Sequence, residues 1–276
     1  MPQTPPAPQL RSSDQDQGSA VWRFFRDGEW YFTWGYNKEY WAPSDVHVSQ
    51  GALGNNFTIY GVQGHDEAGL STDPFGPQYN FRIGRFVNDD RTIGVELNFD
   101  HTKFTSNTGQ TAQVTGTIAG APVNGNFTLG NPFFYEELHN GANHLMVNGV
   151  YRAPLIGQTN ETLSVAAIAK AGVGVMLPHT TDTILGITNS VGNKTLSNSI
   201  GLTNGWWQLN GWTAGAEVGF RVVLYKPVYL ELTDKVAYAH LSDLPAYQGT
   251  MQQSLWMNEI VLGLGFTYDG ASNAPH

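Results

Sequence analysis

Thr162-Leu-Ser-Val-Ala-Ala-Ile-Ala-Lys-Ala-Gly-Val-Gly-Val-Met-Leu177 is the stretch whose reading decides the fold. Its odd positions, Leu163, Val165, Ala167, Ala169, Ala171, Val173, Val175 and Leu177, are all apolar. Its even positions, Thr162, Ser164, Ala166, Ile168, Lys170, Gly172, Gly174 and Met176, form a mixed face with a lysine near its middle. Strict period two is the mark of a β-strand whose faces meet different surroundings. A common strand has roughly 5–6 residues, whereas a tilted strand crossing a bilayer needs about 9–11. Length and period together predict an all-β chain, an antiparallel transmembrane up-and-down β-barrel of 8–10 strands with long external loops.

The pattern recurs. Trp212, Ala214, Ala216, Val218, Phe220, Val222 and Leu224 share one face, opposite Thr213, Gly215, Glu217, Gly219, Arg221 and Val223. Ile260, Leu262, Leu264, Phe266 and Tyr268 oppose Glu259, Val261, Gly263, Gly265 and Thr267. Ile93, Val95, Leu97 and Phe99 oppose Gly94, Glu96, Asn98 and Asp100. Each time the charges fall on the glycine-bearing face. A soluble β-barrel or sandwich that binds an apolar ligand also alternates, but it covers its outside with charge. Here charged residues are 13% of the chain, about half the usual share. The 32 glycines gain a purpose in a crowded lumen, where they leave room for Arg, Glu and Tyr from neighbouring strands.

Net charge is −9, which argues against nucleic acid as a partner. Cysteine is absent, so disulfides and thiolate metal sites are excluded. No apolar run is long enough for a transmembrane helix. No signal peptide is visible after Met1-Pro2, and a mature form with an added initiator Met is the expectation. Residues 1–28 read as a flexible N-terminal segment, 29–268 as a single barrel and 269–276 as a short tail.

Short periplasmic turns and long external loops orient such barrels. Asn88-Asp-Asp-Arg91, Ala153–Gln158 and Tyr225-Lys-Pro227 are the expected short turns, and 106–139, 178–208 and 242–253 the external segments. Strands are expected near 55–65, 78–88, 91–105, 141–153, 161–177, 209–225, 228–241 and 255–268. A further hairpin from Trp30–Tyr36 and Ser44–Ser49 would make ten, the favoured count. Gln113–Ile118 is expected to form an external hairpin. Trp206, Trp207, Trp212 and Trp256 fall at outer strand ends, and Tyr225, Phe266 and Tyr268 at inner ends, where amphipathic rings settle at a membrane interface.

With its closing segment Gly263-Leu-Gly-Phe-Thr-Tyr268, the chain resembles small bacterial outer-membrane β-barrels, the broad class that includes OmpA-like barrels and the lipid A-modifying palmitoyltransferase and deacylases. The resemblance is architectural and covers most of 29–268. It departs at the tail Asp269–His276, since many members end on the aromatic residue. It implies a Gram-negative outer membrane as location, with outer-membrane lipid and lipopolysaccharide as surroundings.

Two groups of polar residues carry any chemistry. Arg82, Glu96, Asp100, Lys170, Glu217, Arg221, Glu231, Lys235 and Glu259 fall on the lumen face. A turn at 88–90 that pairs residues summing to 178 puts Arg82 opposite Glu96. Buried charges must be paired, so the expectation is a salt-bridged plug rather than a conduit. Near the outer rim lie His65-Asp66-Glu67, Asp100-His101-Thr102-Lys103, Tyr135-Glu-Glu-Leu-His139 and Asn143-His144. Histidine beside carboxylate is the minimum for general-base chemistry, which makes Asp100, His101, His139 and His144 the catalytic candidates. Such residues also bind divalent cations. No GxSxG, HExxH or EF-hand motif is present, and no cofactor or metal is assigned. The expected function is a non-enzymatic structural or surface-interaction role, with an extracellular or envelope protein partner at the external loops. A lipid A-modifying hydrolase or acyltransferase is the alternative.

Overall fold

The computed structural model describes residues 28–67, 78–158, 161–190, 200–201 and 206–269. Eight strands, numbered here in chain order, form a closed barrel: β1 (Glu29–Trp41), β2 (Tyr79–Phe86), β3 (Ile93–Asp100), β4 (Ala142–Ile156), β5 (Ser164–Pro178), β6 (Gly211–Tyr225), β7 (Val228–Ala246) and β8 (Gly249–Asp269). Each pairs antiparallel with its predecessor, and β8 returns to β1 with Glu29 opposite Asp269 and Trp41 opposite Met257. No sheet edge is left within the barrel, which satisfies every ladder internally. Residues 1–27 and 270–276, the bulk of the expected N-terminal segment and tail, lie outside the described residues.

The count is eight, and two expectations change. Residues 55–65 do not cross the barrel, and Trp30–Tyr36 does not form an extra hairpin with 44–49. Instead Glu29–Trp41 is the first barrel strand, and Ser44–Gln50 continues its line beyond the break at Ala42-Pro43 by pairing with Thr250–Gln253 of β8. Asn55–Val62 pairs with that continuation and with Thr111–Ile118, which forms a hairpin with Ala121–Thr128. Alternation marks all these segments as strands alike. Only pairing with distant partners separates those that cross from those that stand above.

The short turns lie with the described ends of the chain at one end of the barrel. At the opposite end the long strands rise beyond the barrel and fold into a dome. Residues 242–253, expected as a loop, are the tightly paired tip of β7 and β8. Val46, Val48, Phe57, Ile59, Phe104, Val114, Phe134, Leu138, Leu241, Met251 and Leu255 meet in the apolar core of this dome. A second small sheet, with strands Gly64–His65, Phe104–Ser106, Phe134–Leu138, Thr181–Ile184 and Ile187–Ser190, closes its side.

In the β2–β3 hairpin Arg82 pairs with Asn98, and Glu96 with Gly84. The pairing sum is therefore 180, not 178. Asn88 sets it: its Oδ1 accepts from the Thr92 and Ile93 amides at 2.9 and 2.8 Å. Arg91 turns the chain in the left-handed region at φ 55°, which moves the centre of the turn one residue later.

Glycines in the wall make space for lumen rings. A Cβ on Gly84 would lie 2.2 Å from the Tyr31 ring, and one on Gly265 would lie 2.1 Å from the Tyr229 ring. Both tyrosines are buried in the lumen with Phe86, Val150, Ile168 and Val223.

Candidate functional site: the lumen and the outer rim

The two faces of the barrel wall are inverted relative to a soluble protein. Val173, Val218 and Phe220 are 66%, 61% and 54% exposed, whereas Lys170 and Glu217 are each 3% exposed. Trp212, Tyr238 and Trp256 stand in a row on the outside, their ring centroids 5.3 and 5.0 Å apart. Tyr225, Phe266 and Tyr268 are exposed at the other end. An apolar belt between aromatic girdles, wrapped around a charged interior, is stable only against hydrocarbon. The chain is a membrane-spanning β-barrel.

On that outer wall one polar pair stands out: Asn258 donates to Asp234. Asp234 borders a concavity of about 640 Å³ lined also by Ala167, Ala169, Val218, Phe220, Leu232 and Ile260.

Inside the barrel the nine charged lumen residues are brought together. Lys170 Nζ reaches Glu231 at 2.6 Å, Glu96 at 3.1 Å and Glu217 at 3.3 Å. Arg82 contacts Glu217 at 3.1 Å, Glu96 at 3.6 Å and Asp100 at 3.7 Å. Lys235 bridges Asp100 and Glu259. Arg221 binds Glu231 at 2.7 Å and is stacked between the rings of Tyr31 and Tyr229, 4.4 and 4.0 Å from their centroids. Cross-strand register builds part of this array: Lys170 lies opposite Glu217, and Glu217 opposite Lys235. The remaining contacts span the lumen.

One clamp was not among the sequence candidates. Arg152 makes two parallel bonds to Glu29, at 2.7 and 2.9 Å, at the turn end of the barrel. Arg91 joins Asp269 at 2.8 Å beside it. Glu29 is the first residue of β1, and no local pattern distinguishes it from an exposed end.

At the outer rim Asp100 and His144 are cross-strand neighbours on β3 and β4, and the four catalytic candidates bond to different side chains. Asp100 belongs to the lumen array through Lys235 and Arg82. His144 is buried with Nδ1 2.8 Å from Thr213 Oγ1. His101 bonds Asn143 at 2.6 Å and stacks on Tyr79, and burial pulls its imidazole down to about 4. His139 is half exposed and pairs with Glu67. Among the described residues, no side-chain hydrogen bond joins any two of these four; His144 and Asp100 meet only as backbone partners in the β3–β4 ladder.

Sequence reasoning missed two arrangements here. His240 Nδ1 lies 2.9 Å from Ser254 Oγ, which also accepts from Tyr238 at 3.0 Å. This serine–histidine pair sits directly across β7 and β8. No carboxylate orients its imidazole among the described residues, so it lacks the third member that a nucleophilic triad requires. The second arrangement is Glu136 facing Asp182 across two strands of the small sheet. Both are buried in the dome. Burial first, and then the charge of Asp182, pushes Glu136 up to about 8. Burial pushes Asp182 up to about 7. The signal was present: Phe134, Glu136 and Leu138 alternate with Tyr135, Glu137 and His139.

These raised carboxyls carry a pH prediction. In the unfolded chain they titrate near pH 4, so the folded dome binds more protons between about pH 4 and 8. Their contribution to stability is complete below about pH 4 and is lost as pH rises through 7–8. Glu136→Gln is expected to flatten that loss. Amide hydrogen exchange of the dome between pH 5 and 8.5, corrected for intrinsic rates, checks it; parallel losses in both proteins would refute it.

No family model and no curated protein sequence matches the chain. Among solved structures it is similar to the outer membrane protein AlkL in lipid bilayers, at 15% identity and TM-score 0.39 over 100% of both chains. It is also similar to the outer membrane protein OprG of Pseudomonas aeruginosa, at 12% identity and TM-score 0.36 over 88% of this chain and 97% of that one. Neisserial surface protein A matches at 9% identity and TM-score 0.37 over 88% and 100%. The membrane reading rests on the chain's own distribution of apolar and charged residues.

Proposed function

We propose that this protein is a sealed barrel of a bacterial outer membrane, serving as an anchor for an external surface-interaction dome. One observation carries the reading: the lumen is filled by a continuous array of ion pairs from Arg221 through Lys170 and Arg82 to Lys235. The space beside Met146, Lys170, Glu217 and Lys235 holds no cavity large enough for a water molecule. A barrel of eight strands has an interior that side chains can fill. Ionic contacts from several strands at once resist the separation that a pore would need. Above the lumen the dome adds an apolar core, including Phe57, Phe104 and Phe134. Small polar solutes therefore have no path through the wall of charges, and the surface offered to the outside is the dome. Outer-membrane lipid and lipopolysaccharide surround the belt, and an envelope or extracellular protein is the partner class for the dome.

The test is electrical. Purified full-length protein, refolded into planar bilayers in concentrated KCl, is expected to show no stepwise conductance while it displays heat-modifiable migration on gels. A stable ohmic channel in the folded protein would overturn the sealed-barrel reading.

A further inference from the structure

The outer face of the small sheet collects metal-ligand atoms that the lumen array does not use. Period two along Phe134–Leu138 sends Phe134, Glu136 and Leu138 into the dome and leaves Tyr135, Glu137 and the following His139 outside. Glu137 lies opposite Thr105, and Thr105 opposite His65. Glu67, two residues beyond His65, falls on the same face. A carboxylate oxygen of Glu67, one of Glu137 and a ring nitrogen of His139 all lie within 4.8 Å of one another.

Three further observations separate this cluster from an ordinary acidic surface. Neither Glu67 nor Glu137 has a lysine or arginine partner among the described residues; the only ionic contact is His139 on Glu67. Hydroxyls stand beside the carboxylates: Thr105 Oγ1 donates to Glu67 at 3.4 Å, and Tyr135 shares the outer face with Glu137 two residues along the strand. A supporting bond of this kind holds a ligand in place around a metal ion. The donor set also mixes imidazole with carboxylate.

We infer that Glu67, Glu137 and His139 form a divalent transition-metal site on the external dome, with Zn²⁺ the ion that suits it. Zinc bonds to nitrogen and carboxylate oxygen are about 2.0–2.2 Å long, so three donors within 4.8 Å need only a small inward movement. Calcium and magnesium demand more oxygen ligands and gain little from an imidazole. The bound cation replaces the His139–Glu67 contact and neutralises two adjacent carboxylates. Its remaining coordination positions face solvent, since His139 is half exposed. The ion would tie the chain after Gly64–His65 to the strand ending at Leu138.

Isothermal titration of Zn²⁺ into the tag-free, full-length protein in detergent tests this. One saturable site per chain is expected, with Ca²⁺ and Mg²⁺ binding at least about 10-fold more weakly. Thr105→Val removes the hydroxyl bonded to Glu67 and is expected to weaken Zn²⁺ by about 10-fold. His139→Ala and Glu137→Gln remove ligands and are expected to weaken it more. His47→Ala, in the other sheet of the dome, is expected to leave binding unchanged. Heat-modifiable migration confirms that each variant is folded. Absence of saturable Zn²⁺ binding overturns the site. So does binding that survives the His139→Ala, Glu137→Gln double variant, or Ca²⁺ binding as tight as Zn²⁺.

Discussion

Lys170→Met is expected to destabilise the barrel by about 3–5 kcal/mol, the range for removing one partner from a buried ion pair. Lys170 touches three carboxylates, Glu96, Glu217 and Glu231. Arg82 also reaches Glu96 and Glu217, and Arg221 reaches Glu231. Two cations would then face three buried anions, and methionine offers no hydrogen bond to any of them. Methionine fills a similar volume, so packing changes little and the loss reports charge. Denaturant titration of the refolded protein, followed by tryptophan fluorescence, measures it. Adding Glu96→Gln to Lys170→Met is expected to recover part of the loss, because it leaves Arg82 paired with Glu217 and Arg221 paired with Glu231. A single variant within about 1 kcal/mol of the parent would mean that water screens the lumen, and the plug would not be dry.

Phe104→Ala is expected to cost the dome about 3–5 kcal/mol while the barrel stays intact. Phe104 is fully buried, packs edge-on against Trp41 at 5.6 Å, and covers the space that a Cβ on Gly64 would occupy. None of its neighbours there belongs to the lumen array. Limited proteolysis of the protein in liposomes is the measurement: the segments 104–139 and 181–190 are expected to be cut faster, with heat-modifiable migration unchanged. Loss of heat modifiability along with dome protection would show instead that the two tiers unfold together.

Much of the barrel is legible in the sequence. β5, β6, β7 and β8 alternate over long stretches, and the expected spans near 161–177, 209–225, 228–241 and 255–268 overlap the observed strands. The reason is physical: a wall between hydrocarbon and a charged lumen imposes a different residue class at every step. The short turns were legible for a similar reason, since Asn88 and Lys226-Pro227 favour tight reversal. Above the membrane this contrast is weaker. Asn55–Val62 alternates nearly as well as a crossing strand, because it too separates a core from solvent. β1 was misread as half of a hairpin, because its closing partner β8 lies at the far end of the sequence.

The rim shows the same division in side chains. Alternation through 134–139 is present in the sequence, yet which face looks into the dome depends on the strand register with Thr181–Ile184 and Phe104–Ser106. That register separates Glu136, buried against Asp182, from Glu137, which stands outside beside His139.

By itself the sequence determined that this chain is β, that its strands are long, and that its charges share the glycine-bearing face. Those properties follow from local period and residue size. Tertiary structure alone decided that eight strands close the ring, that the external segments fold into a packed dome, and which carboxylate meets which cation. Pairing is a matter of register between residues far apart in the chain, and a shift of two residues preserves every face while changing every partner.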